Sequence, residues 1–180
     1  MAVIGACLCG GWLLSSQGAA AAEVGGSPLA RAALATCERA ATVTGKEQLA
    51  ALADGTALAN AAIGADPQDP VAYFAAFCSL GRRLELRGIS MHSLRELRQA
   101  RAALDTALTL LPDYVDALAA KGALLLRLPR LLGGDPALGA TLLRRATNLA
   151  PDNQATQRLL LELVGEPAPA NNTAPMARRE

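Results

Sequence analysis

The chain is poor in aromatic rings, in histidine and in net charge, and each shortage closes off a class of function. Aromatic residues make up 3% of its 180 positions, too few to interleave with its arginines and stack nucleic-acid bases. The one histidine, His92, is expected in a loop, and no cysteine has a histidine near it in sequence, so no imidazole-activated thiolate is visible. Seventeen basic residues stand against 16 acidic ones, and a formal charge of +1 gives no global field to recruit nucleic acid or an anionic membrane. Paired carboxylates with a base at helical spacing, a glycine-rich loop after a strand and a metal-ligand cluster are all missing. No cofactor, no metal and no nucleic-acid partner is expected, and an enzyme is the least supported class.

Strand-type runs of Val, Ile, Tyr and Phe are also nearly missing. What is present is alanine and leucine within a hydrophobic share of 52%, a composition for helices that pack closely through small side chains. An all-α protein of one domain is expected.

The first 22 residues, "MAVIGACLCGGWLLSSQGAAAA", carry no charged side chain and end in small residues. Ala20 and Ala22 have the spacing a signal peptidase needs, so residues 1–22 are read as a signal peptide, with a retained anchor as the alternative. The departure is the missing positive n-region, since the first arginine is Arg31; a lipid anchor would use "IGAC", Ile4 to Cys7. Cys7 and Cys9 fall inside this segment. Export leaves Cys37 and Cys78 in a compartment where disulfides persist, and two arrangements stay open: two separate buried thiols, which the residues favour, or a Cys37–Cys78 bridge.

Apolar periodicity and breakers delimit seven helices, at about 27 to 41, 46 to 65, 69 to 86, 94 to 111, 114 to 127, 136 to 150 and 153 to 164. "SLRE", Ser93 to Glu96, reads as a capping box at the start of the fourth. The ends of the even-numbered helices align on their prolines: "NAAIGADPQ", "DTALTLLPD" and "RRATNLAPD". Counting back from Pro67, Pro112 and Pro151, Ala62, Ala107 and Ala146 stand five before, Ala59, Leu104 and Leu143 eight before, and Gly55, Ala100 and Gly139 twelve before. Small residues spaced along a helical stripe let a neighbouring helix come close, and the proline ends each helix. That is the pattern of stacked helical hairpins, each burying its apolar face against its neighbours.

These residues resemble the tetratricopeptide repeat over about 46 to 164. The glycine usual in the first helix of that repeat matches Gly122, whereas Phe77 and Leu161 hold the matching places in the other copies. The proline spacings of 45 and 39 residues exceed the family's thirty-four. The resemblance implies a solenoid of antiparallel helix pairs, about three repeats plus a capping helix, over residues 27–164. A narrower resemblance covers roughly 94 to 153, where a proline and a "GGD" turn precede the last repeat's second helix. It is to exported bacterial repeat proteins of the TRAP transporter T-component type. It implies a periplasmic or envelope-associated scaffold that pairs with a solute-binding protein. The last residues, 165–180, are rich in Pro, Ala and Asn and are expected to be disordered.

Both excesses over the repeat length fall between the two helices of a unit, at "RGISMHS" (87–93) and "LPRLLGGD" (128–135), and equivalent turns of a solenoid share an edge. In the second, Gly133 and Gly134 suit a turn, Asp135 an N-cap and Pro136 the first helical position, so punctuation is favoured over an anion site. Arg82, Arg83, Arg87, Arg95, Arg98 and Arg101 make one stretch locally basic, and Arg130 adds to it. A solvated helix surface is the ordinary account. The functional account is a partner-binding edge made of Arg82, Arg83, Arg87, Arg95, Arg98 and Arg130 that steers an acidic protein. A small-ligand carrier using the two inserted turns is the alternative. Membrane attachment through the N-terminus and assembly into a homo-oligomer are left open.

Overall fold

In the computed structural model of the chain, the described residues are 25–88 and 93–165, and they form helices with no strand. In order these are α1 (Pro28–Arg39), α2 (Gly45–Ala65), α3 (Pro70–Arg87), α4 (Leu94–Leu110), α5 (Val115–Arg127), α6 (Pro136–Leu149) and α7 (Gln154–Val164), with a 3-10 turn at Arg130–Leu132 before α6. The expected export segment, the tail beyond Gly165 and His92 lie outside the described residues.

Helix starts follow from side-chain chemistry. Ser27, Asp69, Asp135 and Asn153 each turn a side-chain oxygen back onto free N–H groups of the first turn, and three of these caps precede a proline at the first helical position. Ser93 departs from the expected capping box. Its hydroxyl donates to the Gly88 carbonyl (3.2 Å) and makes no cap bond, while Glu96 reaches across to Arg83 on α3 (3.1 Å). An ion pair between helices has replaced the reciprocal bond within one.

The ends of α2, α4 and α6 are built alike. Asp66, Leu111 and Ala150, each just before a proline, leave the helix at φ/ψ of −142°/95°, −137°/90° and −135°/73°, because the pyrrolidine ring bars the preceding residue from helical geometry. Their N–H groups donate to the carbonyls of Ala62, Ala107 and Ala146 at 2.8, 2.9 and 3.1 Å. Three residues on, Asp69, Tyr114 and Asn153 donate back to Asp66, Leu111 and Ala150 at 3.3, 3.1 and 3.0 Å and open the next helix. One turn is thus made three times.

The small and apolar residues counted back from those prolines are all buried: Gly55, Ala59 and Ala62 on α2, Ala100, Leu104 and Ala107 on α4, and Gly139, Leu143 and Ala146 on α6. Each helix packs on its neighbour in sequence; α1 also meets α3, and α5 also meets α7. Between α5 and α6 the two backbones come close. A Cβ on Gly122 would stand 2.8 Å from the Gly139 carbonyl oxygen, and one on Gly139 equally close to that of Gly122, so both positions need glycine. The copies without that glycine have different neighbours. Phe77 joins Phe74 in a ring contact (6.2 Å between centroids), Phe74 meets Tyr114 (5.1 Å), and these rings fill the space between α3 and the start of α5. Leu161 is exposed on the outer face of α7, among Arg158 and Glu162.

One apolar cluster runs from α1 to α5, and a second joins α5, α6 and α7 through Leu118, Leu143 and Leu160; Leu108 touches both. Of the two arrangements open for the cysteines, the structure has the bridge. Cys37 of α1 and Cys78 of α3 form a disulfide with Cα atoms 6.3 Å apart, so they are not two separate thiols. A buried position on α1 and a half-buried one on α3 brought the sulfurs together, a relation that spacing along the chain does not encode.

Candidate functional site

The arginines expected to form one edge divide by their helix faces. Arg82 is on the inner side of α3 and buried. It cannot serve an exposed edge as it stands, a correction to its place among the partner-binding residues. With Arg127 of α5 it surrounds Glu85, whose pKa is nevertheless raised because burial outweighs both cations. Arg83 is held by Glu96, with Nη2 3.1 Å and Nε 3.2 Å from the carboxylate. Arg87, Arg95, Arg98 and Arg130 are exposed, and none makes an ion pair among the described residues.

Residues 128–135 form a closed turn. Gly133 takes the left-handed conformation (φ +83°) and donates to the Arg130 carbonyl at 2.9 Å; Gly134 donates to Pro129 (3.0 Å) and Asp135 to Leu125 (3.1 Å). A Cβ on Gly134 would overlap the Leu128 carbonyl oxygen. Asp135 then caps α6 by accepting from the Leu138 N–H at 3.0 Å, and Pro136 follows. Those glycines, the aspartate and the proline are therefore used up in making a turn and starting a helix, as punctuation requires.

From α4, Arg101 donates Nη1 to the Leu132 carbonyl at 2.7 Å and pins the turn to that helix. The start of α4 and the turn thus share an open groove of about 270 Å³, lined by Leu94, Leu97 and Arg98 on one side and Leu131 and Leu132 on the other. Leu131 is 99% exposed. Reading the sequence for charge missed this leucine and the structural use of Arg101. The available signal was an apolar pair, Leu131 and Leu132, enclosed in a turn between Pro129 and Gly133.

A second feature lies where α1 and α5 come near each other. Asp116, in the first turn of α5, has its pKa raised to about 6 by burial and, secondarily, by the charge of Glu38 on α1. Glu38 itself is raised by desolvation, and Tyr114 is pushed upward by burial and then by Asp116 and Asp69. These groups resist ionisation together; among the described residues no three His, Cys, Asp or Glu side chains are grouped to hold a metal. No helix of the described residues is long and apolar enough to cross a membrane.

Against this geometry, comparison with known proteins adds nothing: no family model, no curated protein and no solved structure matches the chain.

Proposed function

We propose that this is an exported helical-repeat protein of tetratricopeptide-like architecture, about three repeats and a capping helix, that acts as a protein-binding scaffold. The observation that carries this reading is the turn made three times, at Asp66–Asp69, Leu111–Tyr114 and Ala150–Asn153, each behind a buried alanine at the same place. A repeated hairpin is the unit of a solenoid, and solenoids serve mainly as binding surfaces. The mostly polar outer face of α7 suits a cap, since a terminal repeat must meet water. Export is favoured by the uncharged N-terminal run and by the Cys37–Cys78 bridge, which persists in an oxidising compartment. Service beside a periplasmic solute-binding transporter system is the assignment that the 94–153 resemblance recommends.

The contact surface in this reading is the edge carrying Arg87, Arg95, Arg98 and Arg130. Replacing Arg87, Arg95 and Arg130 together by Ser leaves thermal stability nearly unchanged, because exposed charges contribute little. It weakens affinity capture of the partner from the native envelope and flattens the salt dependence of that capture. Capture that survives the triple change unaltered moves the contact surface to the side formed by the odd-numbered helices. N-terminal sequencing of native protein tests export: a start near Glu23 or an acylated Cys7 supports it, and an intact chain in the cytosol refutes it.

A further inference from the structure

Leu131 is a large apolar side chain held almost wholly in water by a turn whose backbone is hydrogen-bonded at several points. Leu132 and Gly133 donate backbone bonds to Pro129 and Arg130, the Leu132 carbonyl is taken by Arg101, and Asp135 ties the end of the turn to α5. A scattered exposed leucine on a loose loop needs no explanation. One whose backbone is held beside Leu94, Leu97 and Leu132 extends an apolar groove outward, and an already ordered backbone adds no loop-ordering cost when a partner covers it.

The charged side chains that line the groove have one sign. Its lining includes Arg98 and Arg101 and no carboxylate, and Arg130 precedes the exposed leucine. Arg98 and Arg130 have no acidic partner among the described residues.

We propose that this groove binds an acidic protein segment bearing one large apolar side chain, with Leu131 as the apolar anchor and Arg98 and Arg130 as its charged rim. The proposal rests on the scaffold reading and names the partner chemistry of the same edge. A side chain entering between α4 and the turn buries Leu94, Leu132 and Leu131 together, while carboxylates flanking it meet guanidiniums that form bidentate bonds. An anionic bilayer offers the same charge but a flat surface, and it cannot fill a recess between a helix and a turn. Arginine, which supplies the rim here, is enriched among the residues that carry binding energy at interfaces.

The test uses the purified full chain and a fluorescein-labelled peptide in which one leucine is flanked by glutamates. Its controls are the same peptide with alanine for leucine, the same with lysines for glutamates, and vesicles of phosphatidylcholine and phosphatidylglycerol. Fluorescence anisotropy is expected to show salt-sensitive binding of the first peptide, at least tenfold weaker binding of both peptide controls, and a similar loss in Leu131→Ser. Arg98→Ser with Arg130→Ser is expected to weaken binding and reduce its salt slope. Circular dichroism melts of these variants should match the parent, since none of the three side chains is buried. Binding that ignores Leu131→Ser overturns the proposal, and so does vesicle flotation together with refusal of the acidic peptide, which would assign the edge to a membrane.

A photo-crosslinking residue placed at position 131, and separately at position 73 on α3, separates this failure from that of the scaffold reading. Crosslinks to protein in the native envelope from position 73 alone would leave a scaffold with the wrong groove. Crosslinks from neither, with no peptide binding, would remove both.

Discussion

Helices α1, α2 and α3 pack on one another in the same pattern as α5, α6 and α7: a hairpin, with a third helix against both of its members. The two trios are fastened by different means. In the first, Cys37 and Cys78 join α1 to α3 covalently, and the buried Asp69 binds the Ser27 N–H (2.7 Å) while capping α3 through Val71 (2.9 Å) and Ala72 (3.4 Å). In the second, two glycines let the backbones of α5 and α6 touch, and α7 is held to α5 by burial of Leu160 and by an Arg127–Glu162 ion pair at 3.5 Å. One pattern of contacts can therefore rest on specific bonds or on the absence of side chains. The two respond to different perturbations.

Reduction should separate them most. Breaking the Cys37–Cys78 bridge, or replacing both residues by Ala, frees a loop with a sequence separation of 41 and on chain-entropy grounds costs about 3–4 kcal/mol. Urea unfolding with and without reductant measures this. Hydrogen exchange should rise in α1 and α3 well before α5 and α6; uniform loss of protection would mean that the trios unfold as one unit.

Gly122→Ala attacks the other fastener. Alanine in a helix interior ordinarily gains about 1 kcal/mol over glycine, but a Cβ 2.8 Å from the Gly139 carbonyl and 2.9 Å from Leu143 Cγ forces the helices apart, and overpacking costs about 1–3 kcal/mol. A net loss of up to about 2 kcal/mol is expected. Gly64→Ala is the matched control: it lies in α2, exposed and with nothing near its Cβ, and should stabilise by about 0.5–1 kcal/mol. Equal effects at the two sites would refute the close-approach account.

Asp69→Ala removes a cap and leaves the Ser27 N–H without its acceptor, for a loss of about 2 kcal/mol. Asp69→Asn, which keeps a capping oxygen, should recover part of it.

A pH-dependent effect belongs to Asp116 of α5, which feels the charge of Glu38 on α1. Asp116 has a folded pKa of about 6 against an unfolded value near 3.8, so the native state binds the proton more tightly. Its stabilising contribution is fully present below pH 3.8 and is lost as pH rises through about 6. Asp116→Asn should raise stability by about 1–2 kcal/mol at pH 7.5, an amount reduced by partial access to solvent. That advantage should shrink to nothing by about pH 4. A gain independent of pH would mean that packing, not ionisation, was altered.

Much of the local architecture was legible in the residues. Helix boundaries came within a few positions of those observed because prolines, Asp–Pro caps and apolar period act over one or two turns. The left-handed Gly133 and the tight Gly134 serve the turn locally, although Gly133 also leaves room for Arg101 of α4. Failures occurred where a side chain's partner lies on another helix. Glu96 pairs with Arg83 instead of boxing with Ser93, Arg82 is buried beside Glu85, and Leu131 is exposed next to a groove whose other wall is α4.

The sequence by itself determined that the chain is helical, where each helix begins and stops, and which alanines, leucines and glycines face inward at three equivalent places, because these depend on propensity, capping and period along one chain. Only the tertiary structure decided that Cys37 meets Cys78, that Gly122 faces Gly139, that some arginines are consumed within the fold while others remain free, and that Leu131 borders a groove. Each of those is a distance between helices. It is set by how neighbouring faces pack, which no single stretch of residues contains.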